Sequence, residues 1–200
     1  MQNEVKSRSI LFEILSWVET VLIAIIIALL IRAFIIDPVI VNGVSMEDTL
    51  HEGQRLIIYK LGYFFYPPQR GDIIVFQYQK GLVRDIPILK NLEFLNRVLP
   101  TVTEIDYIKR VIGVPGDKID IEDGKVYVND KELIEPYAKG LTHKQILEFP
   151  LIVPENSVFV LGDNRENSRD SRAIGFIDYG RIKGKAILRI WPLKDFGIIN

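Results

Sequence analysis

The 200-residue chain contains no cysteine. Disulfides, a thiolate nucleophile and cysteine-ligated metal are therefore excluded. Histidine is nearly absent too. His51 and His143 are the only two, and neither sits in a metal-ligand spacing. An excess of charge of either sign is also missing. The net charge is −1, so no basic surface argues for a nucleic-acid partner. Internal repeats and low-complexity segments are absent. No metal or cofactor is expected.

Apolar residues are plentiful, at 48% of the chain. From residue 17 to 36 the chain is almost wholly apolar, and 21–31 is unbroken. At ~1.5 Å per residue, a helix of that length matches a bilayer core of ~30 Å. No small-residue cleavage site follows it, as a removable leader would require, and Asp37-Pro38 ends it. The reading is an uncleaved single-pass anchor over residues 10–36. The polar residues 1–9, with Lys6 and Arg8, place the N-terminus in the cytoplasm and residues 37–200 outside.

Beyond Pro38 the pattern changes to short alternating runs. Strands are expected at 39–41, 55–60, 72–79, 118–121, 125–128, 158–161 and 185–190, with Asp123-Gly124 as a hairpin turn. Short strands punctuated by Gly, Pro and Asp argue for a mainly β barrel or sandwich, with residues 118–157 as a small β extension. Two stretches stand apart. Ile88, Leu92, Leu95 and Leu99 recur at helical spacing within an insert at 82–102, with Asp85 as N-cap and Pro87 in the first turn. Tyr59, Tyr63, Phe64, Phe65 and Tyr66 precede Pro67-Pro68, and they read equally as core or as an interfacial belt.

The chemistry centres on Tyr-Ile-Lys-Arg-Val-Ile-Gly-Val-Pro-Gly-Asp at 107–117. Successive strand side chains point to opposite faces, so Lys109 and Arg110 cannot point the same way and one must face inward. A single lysine on a strand ordinarily snorkels to water. Held inside, it loses hydration of its charged form and its pKa falls, which yields an amine able to take a proton. Such a base needs a hydroxyl nucleophile, and Ser45 follows a glycine-containing turn. It also needs an orienting partner, and Ser168 lies in the charged, turn-rich loop after the strand at 158–161.

Four stretches together resemble the bacterial type I signal peptidases. They are Gly43-Val-Ser-Met-Glu-Asp-Thr-Leu50, Arg70-Gly-Asp-Ile-Ile-Val-Phe76, the lysine stretch and Gly162-Asp-Asn-Arg-Glu-Asn-Ser-Arg-Asp-Ser-Arg172. The likeness includes their order and the N-terminal anchor, and it covers nearly everything except the 82–102 insert. It implies a membrane-anchored serine endopeptidase with a Ser–Lys dyad, which removes signal peptides from secreted preproteins by cutting after a small residue. Ser45 is then the nucleophile, Lys109 the general base and Ser168 its orienting hydroxyl. The backbone N–H groups of Ser45 and Gly43 form the oxyanion hole. Val39, Val41, Met46, Leu50, Tyr107 and Ile108 flank the substrate pockets, and Arg110, Asp163, Asp170 and Arg172 are structural ion pairs. The implied partners are secreted preproteins and the lipid bilayer, with the enzyme monomeric. One departure is Asp48, where the family usually has proline. Its carboxylate is expected to cap the turn instead.

Three other readings use the same residues. A Ser–Lys self-cleaving regulator shares the β fold but is cytosolic, which the apolar segment opposes. A Ser–His protease would need His51 or His143 in the place that Lys109 holds. A non-catalytic membrane-tethered β domain would not need Ser45, Lys109 and Ser168 together.

Overall fold

A computed structural model describes residues 2–79 and 105–199. The insert at 82–102, with the helix and Asp85 cap expected there, lies outside the described residues.

The first element is α1 (Gln2–Phe34). Phe12–Phe34 is long and apolar enough to cross a membrane, and it stands clear of the body until its end, where Ala33 is buried. Its hydroxyls turn back onto the helix: Ser16 Oγ donates to the Glu13 carbonyl at 2.9 Å and Thr20 Oγ1 to the Ser16 carbonyl at 2.8 Å. Both are thereby satisfied without water. The polar residues after Gln2 form the first turns of this helix. The helix also stops earlier than its apolar run, because Ile36 already belongs to a strand.

The body is built of two sheets. The larger contains β1 (Ile36–Ile40), β2 (Arg55–Tyr59), β3 (Ile73–Gln79), β4 (Ile105–Gly113), β9 (Ser157–Leu161), β10 (Ile177–Asp178), β11 (Ile182–Trp191) and β12 (Gly197–Ile198), in the order β1-β2-β11-β3-β4-β9-β10 with β12 beside β11. The smaller joins β5 (Lys118–Glu122), β6 (Lys125–Val128), β7 (Lys131–Glu132) and β8 (Leu151–Ile152) in the order β7-β6-β5-β8. β1 begins before the expected 39–41 and contains Pro38. That is tolerated because β1 is an edge strand, where one missing N–H breaks no central ladder.

Three apolar clusters hold the body together. One gathers Val41, Met46, Leu50, Leu56 and Ile58 against Ile73 and Val75. A second packs Ile112 and Phe159 against Ile119 and Val126, which docks the small sheet onto the large one. The third groups Ile74, Phe76, Val111 and Val160. Both faces of β4 are therefore covered. Lys109 is 3% exposed and Arg110 4%. The alternation correctly sent them to opposite faces, but both faces are interior, so both cations are inside.

Candidate active site

Three segments meet at the site. The first is the loop between β1 and β2. Its base is closed by Val41 and Gln54, with the Val41 N–H donating to the Gln54 carbonyl at 2.9 Å. Within it the Glu47 N–H donates to Val44 and the Leu50 N–H to Met46. Met46 and Leu50 are buried in the first cluster. These anchors hold the turn down and leave Ser45 on it. Gly43 has a φ of +92°, a conformation that L side chains rarely adopt. A Cβ there would meet nothing within 4 Å, so the requirement is conformational and not steric.

The second segment is β4. Lys109 Nζ lies 2.6 Å from Ser45 Oγ. The same nitrogen donates to the Ile108 carbonyl at 2.9 Å and stands 5.1 Å from the centre of the Tyr107 ring. Burial drives the Lys109 pKa down to about 8, against the opposing pull of Asp170 and Asp163. A sizeable fraction of such a lysine is neutral near physiological pH, and a neutral amine has a lone pair for the serine proton.

The third segment is the loop after β9. In the pairing of β4 with β9, Arg110 stands opposite Leu161, so the residues that follow run beside the lysine strand. Asp163 accepts from Arg110 Nε at 3.0 Å and Nη2 at 2.8 Å, and from Thr49 Oγ1 at 2.6 Å. It thus joins the lysine strand to the nucleophile turn. Asn164 adds two links: its N–H donates to the Ser45 carbonyl and its Nδ2 to the Val44 carbonyl, each at 3.1 Å. Asp170 accepts from Arg172 Nε and Nη2, both at 2.8 Å, and from the Gly162 N–H at 3.0 Å, closing the loop on itself just before α2 (Ser171–Ile174).

Ser168 Oγ is buried and makes no hydrogen bond among the described residues. It packs against Gly162, where a Cβ would run into the Ser168 side chain and come within 2.5 Å of the Ser45 carbonyl oxygen. Glycine at 162 therefore lets Ser168 and the nucleophile turn close on one another.

Of the residues expected at the pockets, Val39, Val41, Met46, Leu50 and Ile108 belong to the first cluster. Tyr107 packs on the third cluster instead, and its ring stacks on Tyr78 at 4.4 Å. That ring also lies beside the Lys109 ammonium position. His51 and His143 are exposed, and neither side chain bonds to Ser45 among the described residues. Asp48 does not cap its turn. Its carboxylate reaches outward to Lys139 Nζ at 3.0 Å.

Sequence reasoning missed several supporting residues. Arg165, 1% exposed, is gripped by Glu135 through Nη1 at 2.7 Å and Nη2 at 2.6 Å. Lys139 pairs by its backbone with the loop, donating to the Asp163 carbonyl at 2.8 Å and accepting from the Arg165 N–H at 2.9 Å. The signal available was the interleaving of charges in 162–172, which fits a bonded network better than a solvated run. Glu135 and Lys139 carried no local signal, because their partners are distant in sequence.

A hydroxyl held against a buried amine is an arrangement in which the amine can activate the hydroxyl as a nucleophile, and comparison with known proteins gives the family. Residues 14–191 match the model of the family described as signal peptidase, peptidase S26. Signal peptidase I of Bacillus licheniformis is 35% identical over 203 residues, covering 97% of this chain and 96% of that protein. Signal peptidase IB of Staphylococcus aureus strain COL is 34% identical over 200 residues, covering 92% and 93%. A crystal structure of a signal peptidase I from Enterococcus faecalis V583 aligns at a TM-score of 0.39 and 28% identity, covering 60% of this chain and 97% of that one. The chain belongs to the signal peptidase family, peptidase S26. It is a serine endopeptidase of that family.

Proposed function

We propose that this protein removes signal peptides from secreted preproteins, with Ser45 and Lys109 as a catalytic dyad. The observation that carries the reading is the 2.6 Å approach of the buried Lys109 Nζ to Ser45 Oγ. Neutral Lys109 takes the hydroxyl proton as Ser45 Oγ attacks the scissile carbonyl. The resulting ammonium then protonates the leaving amine, and the ester is hydrolysed by water that the same amine activates. The Ser45 and Gly43 N–H groups donate no hydrogen bond among the described residues, which leaves both available to an oxyanion. Ser168 Oγ, buried and without a hydrogen-bond partner among the described residues, is the hydroxyl that aims the lysine once the amine rotates towards it.

The cut follows a small residue, and the substrate lies extended beside the Ser45 segment by strand addition. Val39 and Ile108, partly exposed on the first cluster, face the substrate and admit small side chains, with Val41, Met46 and Leu50 buried behind them. α1 spans the membrane with its N-terminus in the cytoplasm, and the monomeric catalytic body stands on the other side. There it meets a substrate whose own apolar segment is in the bilayer.

The test is cleavage of a purified preprotein in detergent, read by mass spectrometry. Wild type is expected to cut after a small residue, and Ser45→Ala and Lys109→Ala are expected to leave the preprotein intact. Undiminished cleavage by Lys109→Ala would refute the dyad.

A further inference from the structure

The nucleophile turn is clamped at two places, and the chain between the clamps is unheld. On one side the Val41 N–H donates to the Gln54 carbonyl and the Gly53 N–H to the Val41 carbonyl, both at 2.9 Å. On the other, Asn164 donates to the Val44 and Ser45 carbonyls, each at 3.1 Å. Asn42 and Gly43 lie between, both exposed, and neither makes a hydrogen bond among the described residues. They form the only Asn-Gly pair in the chain. An asparagine amide is open to attack by the backbone nitrogen of the next residue, and glycine has no Cβ to obstruct the approach. Here that nitrogen carries no hydrogen bond, and the space around residue 43 would hold even a Cβ without a contact inside 4 Å. Other asparagines are tied down. Asn129 Nδ2 donates to Asp117 at 2.8 Å, and its Oδ1 accepts from the Lys118 N–H at 2.9 Å. The side chains of Asn164 and Asn167 are hydrogen-bonded as well.

We propose that Asn42 is a site of spontaneous deamidation, and that the reaction disables the oxyanion hole. The Gly43 nitrogen gives up its proton to solvent hydroxide, bonds to Asn42 Cγ and expels the side-chain nitrogen as ammonia. Water then opens the resulting cyclic imide at either carbonyl. Opening at the Cγ carbonyl leaves aspartate. Opening at the main-chain carbonyl leaves isoaspartate, with the chain running through Cβ and Cγ and a carboxylate on Cα. Either way an amide is exchanged for a carboxylate at the cost of one water, and no oxidant or reductant takes part. The isoaspartyl product is the damaging one. It inserts a methylene into the backbone just before the Gly43 N–H and displaces that donor by a bond length of ~1.5 Å. It also sets a negative charge beside the place where the oxyanion develops. The effect on activity rests on the role proposed above for the Gly43 N–H, whereas the modification itself does not.

Full-length wild type, Asn42→Gln and Asn42→Asp are incubated in detergent in mildly alkaline buffer. Peptide mapping by mass spectrometry, with enzymatic methylation of isoaspartate, reads the modification, and preprotein cleavage is measured on the same samples. Residue 42 of wild type is expected to convert, chiefly to isoaspartate, while Asn129 and Asn164 stay intact. The kcat of wild type is expected to fall in step with the isoaspartyl fraction, and the separated isoaspartyl form to be slower on the order of 100-fold, the loss of one oxyanion donor. Asn42→Gln is expected to keep its starting activity through the same incubation. Asn42→Asp, which adds the charge without the methylene, is expected to lose less than the isoaspartyl form. An intact Asn42 in folded enzyme, under conditions that convert the denatured chain, overturns the site. Conversion with undiminished cleavage overturns its link to the oxyanion hole, and an equal loss in Asn42→Asp overturns the displacement of the donor. Fresh wild type that never cleaves overturns the proposed function instead, and the mass reading then decides the modification alone.

Discussion

Asp163 takes the Arg110 guanidinium on both carboxylate oxygens, Nε at 3.0 Å and Nη2 at 2.8 Å, with neither side chain more than 4% exposed. A buried pair of this kind adds little net stability, but removing one partner strands a charge. Asp163→Ala should lower unfolding stability by about 3–5 kcal/mol. It should also cut activity, because Thr49 on the nucleophile turn loses its acceptor. Chemical denaturation in detergent checks this, and a loss under about 1 kcal/mol would contradict the bridging role.

Gly162→Ala should be far more damaging than a usual glycine-to-alanine change in a loop. The added methyl meets the Ser168 side chain and the Ser45 carbonyl oxygen at 2.5 Å, so the nucleophile turn must shift. Overpacking of this sort costs about 1–3 kcal/mol, and a displacement of ~1 Å at a nucleophile can cost on the order of 100-fold in rate. The expected outcome is a loss of kcat/KM well beyond the loss of stability. Equal kcat/KM with an unchanged denaturation midpoint would contradict the close approach.

Lys139→Ala should behave differently at its two ends. Its side-chain pair with Asp48 is exposed, and exposed pairs contribute little. Its backbone bonds to Asp163 and Arg165 survive the substitution. Denaturation midpoint and kcat are expected to stay at wild-type values. A large loss in either would mean that the Asp48–Lys139 contact replaces the rigidity that proline gives relatives at this turn.

Burial of Lys109 makes stability depend on pH in a defined direction. Its pKa falls from 10.5 in the unfolded chain to about 8 in the fold. Between those values the unfolded chain binds more protons, so stability rises with pH. Below about 8 the full penalty applies, on the order of 3 kcal/mol. Lys109→Met should therefore be more stable than wild type at pH 7, with the advantage fading as pH rises from 8 towards 10.5. Denaturation midpoints across that range check it. A variant less stable than wild type at pH 7 would contradict the buried amine.

The sequence carried the β class, the anchor-length helix and the main residues of the site, because each rests on a local pattern. Period-two alternation placed β4, and a turn signal placed Ser45 on a loop. What it could not carry was set by partners remote in the chain. Lys109 and Arg110 gave a rule for one inward side chain, yet the docking of the small sheet through Phe159 and Ile119 covers the second face as well. The interleaved charges of 162–172 suggested a hydrogen-bonded loop, but its partners Glu135 and Arg110 come from remote parts of the chain. Asp48 was expected to act within its own turn, but Lys139 comes from 91 residues away. The aromatics at 59–66 were undecidable because the stretch divides, Tyr63 packing on the third cluster while Phe64, Phe65 and Tyr66 are exposed.

The central claim is that a neutral Lys109 takes the proton of Ser45. The most direct measurement is the pH dependence of kcat/KM for cleavage of a preprotein whose own groups do not titrate in the range. Rate should climb tenfold per pH unit below about 8, following the Lys109 pKa, and level off above it. Lys109→Ala should abolish the climb together with the activity. A profile already level at pH 6.5, or a rise centred near the ordinary histidine value of about 6.5, would contradict Lys109 as the base.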